Sequence, residues 1–167
     1  MNSLIHKKVA IIGTVGLPAN YGGFETLVNY ITKEINQNFD ITVYCSAKSY
    51  SNKLKTFNNC RLHYINFEPN GIQSMLYDIY AIFHALKYAD VLLILGVSGC
   101  VILPFVKLFS NKKIIVNIDG LEWRRQKWNG FAKWFLKLSE RFAVTVADAV
   151  IADNQVIENY IGQTYDK

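Results

Sequence analysis

The sequence predicts an α/β fold, a parallel, doubly wound sheet in a single domain, and three observations carry that reading. Strand-like apolar runs alternate with segments of helical period from residue 9 to residue 161. The clearest runs, VAII, VLLIL and KKIIVNI, are nearly continuous rather than alternating, as in strands buried on both faces. A length of 167 residues with 51% hydrophobic content supports one sizeable core.

Taken in order, residues 9–12 read as a first strand. The following helix, 24–35, places Phe24, Leu27, Val28, Ile31 and Ile35 on one side. DITVYC, 40–45, is a second strand and 61–65 a third. Residues 74–88 have helical spacing with Met75, Ile79, Ile82, Phe83 and Leu86 turned inward. The run VLLILGVSGCVILPFVKLF, 91–109, approaches the ~20 apolar residues of a membrane span. Gly96, Ser98, Gly99 and Pro104 interrupt it, so a strand at its start, a turn and a short helix describe it better. A strand at 113–118, a long helix over 131–147, a short strand ending at Ala152 and a helix at 154–161 complete the chain. No repeat, linker or low-complexity tract breaks it.

In such a sheet, ligands bind beyond the carboxyl ends of the strands. Three of those ends are informative: residues 13–25, 96–99 and 119–128. The first, GTVGLPANYGGFE, is not a dinucleotide fingerprint, because Gly22 comes six positions after Gly16, and the second strand ends in Val43-Tyr44-Cys45 without an acidic residue for a ribose. It is not a phosphate loop of the Gly-Lys-Ser/Thr kind either. Gly22-Gly23 directly before a helix suits a phosphate, since bare backbone N–H groups and the positive helix end can approach it, and it equally suits a plain turn with left-handed glycines. Ser98 in GVSG misses the spacing of a nucleophile elbow.

Eighteen Lys and Arg against thirteen Asp and Glu give a net charge of +5, which favours anionic partners. Cys45, Cys60 and Cys100 form no C-x-x-C pair, so neither a disulfide framework nor a zinc site is expected, and a reducing cytoplasm fits. The N-terminus lacks the form of a signal peptide. His6, His63 and His84 are scattered, and no metal or cofactor is assigned. WRRQKWNGFAKWFLK, 123–137, interleaves aromatic and basic residues. That pattern suits core plus solvated face, an anionic bilayer, or, least of the three, single-stranded nucleic acid, which is not among the expected partners.

GTVGLPANYGGFET and NIDGLEWRRQKW resemble the N-terminal domain of bacterial GT-B glycosyltransferases, the rhamnosyltransferase-like enzymes of capsule and surface polysaccharide assembly. The motifs are long, and the strands between them extend the resemblance over nearly the whole chain. It implies a Rossmann-like domain on the acceptor side of a cleft, with a nucleotide-sugar donor held by a second domain that this sequence does not contain. It implies transfer of a hexose, rhamnose being the example, to a lipid-linked saccharide at the inner face of the cell membrane. Gly16, Tyr21, Gly22, Gly23, Glu25 and Gly120 are then the substrate- and phosphate-binding positions. Asp119 and Glu122 become catalytic candidates, in a region where many relatives place a histidine near the transferred sugar. Asp119 has a second reading, as the cap of the turn that follows it. Trp123, Arg124, Arg125, Lys127 and Trp128 face the membrane or the acceptor. The 167-residue chain alone is expected to be inactive. The alternative from another class is a noncatalytic Rossmann-like module for a phosphorylated ligand or a protein.

Overall fold

The computed structural model describes residues 6–20 and 22–166. Strand β1 (Lys7–Ile12) runs through the glycine loop into helix α1 (Gly23–Ile35) and returns as β2 (Phe39–Ser46). A short β3 (Thr56–Phe57) precedes β4 (Cys60–Ile65), α2 (Gln73–Ala85) and β5 (Val91–Leu95). A 3-10 turn at Cys100–Ile102 leads into α3 (Leu103–Phe109) and β6 (Lys113–Ile118). A second 3-10 turn at Glu122–Arg124 then introduces α4 (Gly130–Val146), β7 (Ala149–Ala152) and α5 (Gln155–Tyr165). The apolar run from Val91 to Phe109 is therefore a strand, a turn and a helix, and among the described residues no helix is long and apolar enough to cross a membrane.

The sheet order is β3-β4-β2-β1-β5-β6-β7, and every pair is parallel except β3 with β4. The chain builds from β1 toward one edge, then returns to lay β5 on the other side of β1. Their carboxyl ends form the switch point, where connections diverge and leave a crevice. On one face, Val28 of α1 packs with Val9, Ile11, Ile41 and Val43. On the other, buried residues of α2, α3, α4 and α5 share one cluster with Ala10, Ile12, Leu92, Ile94 and Val116. Helices on both faces leave the central strands dry on both sides, which is why their sequences are continuously apolar.

Two details depart from expectation. Strand β3 is an antiparallel addition closed by Asn58 and Asn59, both at positive φ (49° and 59°), a tight hairpin that two residues of strand are too short to announce. Helix α2 is rotated from its predicted inner side, which buries Ser74, Tyr77, Asp78, Ala81, Ile82 and Ala85 and leaves Phe83 exposed. The small Ala81 and Ala85 let the helix approach the sheet. The polar members are bonded in place: Tyr77 donates to the Thr14 carbonyl (3.1 Å) and Asp78 accepts from Ser98 Oγ (2.7 Å). Apolar periodicity does not register a buried polar group that has found a partner.

Candidate functional site: the cleft at the switch point

A cavity of about 920 Å³ opens at the carboxyl ends of β1, β5 and β6, within the range of small-molecule sites. Its floor is Gly13 and the stretch from Leu95 to Ser98, one wall is the start of α1, and the other is the loop after β6. Asn70, Gly71 and Ser74 close it from the α2 side, and Asp153 lies beyond β7. At Gly13, with φ +93°, a Cβ would overlap the Leu95 carbonyl oxygen, so only glycine lets the end of β1 lie this close to β5.

Glu25 shapes the first wall. Its Oε1 accepts from Thr14 Oγ1 (3.0 Å) and from the Val15 N–H (2.7 Å), and Thr14 Oγ1 in turn accepts from the Gly16 N–H (3.2 Å). The carboxylate thus reaches back from the first turn of α1 and occupies the donors of the loop before it. Gly22, at φ +120°, has no room for a Cβ, because Glu25 Oε2 fills that space. The helix begins with no side-chain cap, and Gly23 has nothing within 4 Å of where its Cβ would be. First-turn N–H groups have no intrahelical partner, so the open end of α1 offers donors and positive potential to the cleft.

Across the cleft, Asp119 follows β6. Its carboxylate bonds its own backbone N–H and takes no hydrogen bond from another described residue. Partial enclosure raises it above the ordinary carboxylate range; its own N–H and Arg125 oppose that rise, while Asp153 and Glu122 add to it. Glu122 is differently placed. Its Oε2 takes Arg125 Nε (2.9 Å), and its Oε1 takes Lys127 Nζ (2.9 Å) and Trp128 Nε1 (3.1 Å). Both its oxygens are thus committed to neighbours of the same wall.

The cleft brings together Gly22, Gly23, Glu25, Asp119, Gly120, Glu122, Arg125, Lys127 and Trp128. Gly16 is not among them: it is buried, and a Cβ there would press on Cys45 (2.7 Å). Tyr21 lies outside the described residues. Glu25 lines the cleft, but as a buried acceptor it would repel a phosphate, so its contribution is the shape of the loop. Trp128 is 8% exposed, so its indole is not free to lie among lipid headgroups, and the half-buried Trp123 is tied by Nε1 to Glu140 Oε2 (3.1 Å). Arg124 is stacked over Trp123 (5.0 Å). The segment from Trp123 to Trp128 lies between the cleft and the α4 core, with residues 124–127 exposed.

Beneath the cleft floor lies a polar layer that spacing along the chain does not announce. Ser98 lines the cleft and donates to fully buried Asp78, and Gly99 is pressed on Asp78, where a Cβ would lie 2.5 Å from the Asp78 Cβ. Asn117 Nδ2 donates to Asp153 Oδ1 (2.7 Å), and the Gly96 N–H to the Asn117 carbonyl (2.9 Å). The polar Asn117 inside KKIIVNI was the available signal, since an amide in an apolar strand needs a partner.

A family model described as Domain of unknown function (DUF1972) matches residues 6–167. Over 95% of its length the chain is similar in structure to sucrose-phosphate synthase from Thermosynechococcus elongatus, with TM-score 0.73 at 14% identity, covering 45% of that chain. It is also similar to UGT89C1 of Arabidopsis thaliana complexed with UDP, with TM-score 0.54 at 11% identity, again over 95% of this chain and 48% of that one. The chain spans about half the length of these solved structures. No curated protein matches the sequence.

Proposed function

From a chain that belongs to the DUF1972 family and folds as a GT-B Rossmann-like domain, we propose an acceptor-side domain of a glycosyltransferase. The observation that carries this reading is the switch-point cleft, with the open start of α1 on one wall and the uncommitted Asp119 carboxylate on the other. Among the described residues the cleft brings together no nucleophile–base pair of the kind a covalent acyl intermediate needs. It offers donors for a diphosphate and an acceptor for a hydroxyl proton.

In the proposed reaction the donor is a nucleotide-sugar carried by a second α/β half across the cleft, the sugar moved is a hexose such as rhamnose, and the acceptor is a lipid-linked saccharide of surface polysaccharide synthesis, met at the cytoplasmic face of the membrane. The acceptor hydroxyl oxygen bonds the anomeric carbon as the bond from that carbon to the diphosphate breaks. The electron pair leaves with the diphosphate, whose charge the N–H groups at Gly22-Gly23 and the Arg125 and Lys127 side chains can receive. The proton goes to Asp119, whose raised pKa brings it nearer to the pH at which it must work.

Replacing Asp119 by Asn in the full-length enzyme tests the assignment. The amide keeps the shape and removes the base, so turnover falls by about 100- to 10,000-fold with thermal stability unchanged. Near-parental turnover would move the proton to the departing phosphate and shift the weight of catalysis to Gly22-Gly23. A protein that neither binds nucleotide-sugars nor transfers sugar, yet binds inorganic diphosphate, would favour a noncatalytic phosphate-binding module.

A further inference from the structure

Nine of the twelve most exposed large apolar side chains among the described residues belong to α2 with its N-cap Ile72, to α3 and to α4. On α3 these are Phe105 (65% exposed), Leu108 (75%) and Phe109 (80%), and on α4 Phe131 (72%) and Trp134 (60%). A stripe along α2 runs from Ile72 to Phe83, in steps of three or four residues. The three helices cover one face of the sheet, because Tyr77 and Ile82, Leu103 and Val106, and Ala143 and Val144 all enter the same buried cluster. Met75 of α2 packs against the cluster of Trp128 and Leu136. With their inner sides committed to the core, these helices turn the exposed set outward as a surface.

Charge divides along the same line. Asp78 and Glu140 are the only carboxylates on the three helices, and they are 2% and 0% exposed. Lys133, Lys137 and Arg141 lie on α4, and Lys107 of α3 is paired with Asp148 (2.7 Å) in the turn before β7, whereas α1 and α5 carry the exposed Glu34 and Glu158. A protein–protein interface core is depleted of lysine, while apolar and basic residues without acid are what an anionic bilayer surface selects.

We infer that the outer side of α2, α3 and α4 docks on an anionic lipid bilayer. Phe105, Leu108, Phe109, Phe131 and Trp134 enter the headgroup boundary, and Lys133, Lys137 and Arg141 meet lipid phosphates. Its apolar members are distinct from the Trp123–Trp128 segment, which the surface meets at Lys137, whose Nζ lies over the Trp123 ring (4.7 Å). Because α2 and α4 both start at the cleft, docking sets the cleft mouth beside the membrane. The inference does not depend on sugar transfer, and its test needs no activity.

Sedimentation of the chain with vesicles of phosphatidylcholine plus phosphatidylglycerol, and with vesicles of phosphatidylcholine alone, tests it. Binding is expected to the first and to be about tenfold weaker to the second and at high salt. Combined Phe105→Ser, Leu108→Ser and Phe109→Ser reduces binding by about tenfold or more with circular dichroism and thermal unfolding unchanged, since all three side chains are already exposed. Lys133→Gln, Lys137→Gln and Arg141→Gln together weaken binding only to the anionic vesicles. Indole emission shifts to the blue on binding, and Trp134→Phe abolishes that shift. Equal sedimentation of the parent and the triple serine variant would overturn the inference. Patch-dependent self-association without vesicle binding would also overturn it, and would assign the surface to a second copy of the chain.

Discussion

At Glu25 a single carboxylate oxygen receives both the Thr14 hydroxyl and the Val15 N–H, while the second oxygen fills the space beside Gly22. Glu25→Ala leaves those donors unpaired against a buried loop and should cost about 1–3 kcal/mol in denaturant unfolding; Glu25→Gln, which keeps the acceptor oxygen, costs less. The two adjacent glycines separate shape from binding. Gly22→Ala meets both the Glu25 carboxylate and a φ of +120°, so it destabilises by about 1–3 kcal/mol. Gly23→Ala has open space and no such backbone, so stability stays near parental. If the loop cradles a phosphate, the methyl at Gly23 stands in its path, and calorimetry with inorganic diphosphate should show weaker binding; unchanged binding would leave the loop a turn. At Asp119 the raised pKa has a kinetic consequence: the base acts only when ionised, so the acid limb of the rate profile lies above the usual carboxylate range and vanishes in Asp119→Asn.

Between elements, two buried carboxylates do the joining. Glu140 of α4 accepts from Trp123 Nε1 in the loop after β6, and from Tyr160 (2.7 Å) and Tyr165 (2.7 Å) of α5. Glu140→Ala orphans three donors on two segments and should lower stability by about 2–4 kcal/mol, with Glu140→Gln intermediate, measured by chemical denaturation. Asp78 of α2 is bound to Ser98 beneath the cleft, and burial pushes its carboxyl up to about 7, against the downward pull of the Ser98 bond. From pH 4 to 7 the folded state therefore holds a proton that the unfolded chain has released. Its contribution is full below pH 4, falls as pH rises through about 7, and is then constant. Asp78→Asn, which stays neutral, should remove that decline when stability is compared with the parent across this window.

For the whole molecule, one sheet with helices on both faces supplies a core sufficient for independent folding, so the 167-residue chain should unfold in a single cooperative transition. Supplied with nucleotide-sugars, it should show no turnover, because the proposed reaction needs groups on both sides of the cleft; measurable turnover from the chain alone would refute the two-sided reading. The sequence by itself determined the class of fold, since continuous apolar runs such as VLLIL are stable only between two helical layers, and glycines at strand ends mark where backbone must come close. It also brought Gly22, Gly23 and Asp119 to notice, because residues at strand ends report on local backbone. Only the tertiary structure decided which carboxylate stays uncommitted. Glu122 and Asp119 are three residues apart and alike in composition, yet Arg125, Lys127 and Trp128 close on one and not the other. The same holds for the aromatic residues of 123–137: Trp128 turns into the core while Trp134 turns out. Spacing along a chain records which residues share a helix side, but side-chain partners come from elements distant in sequence, and those become neighbours only when the sheet has assembled.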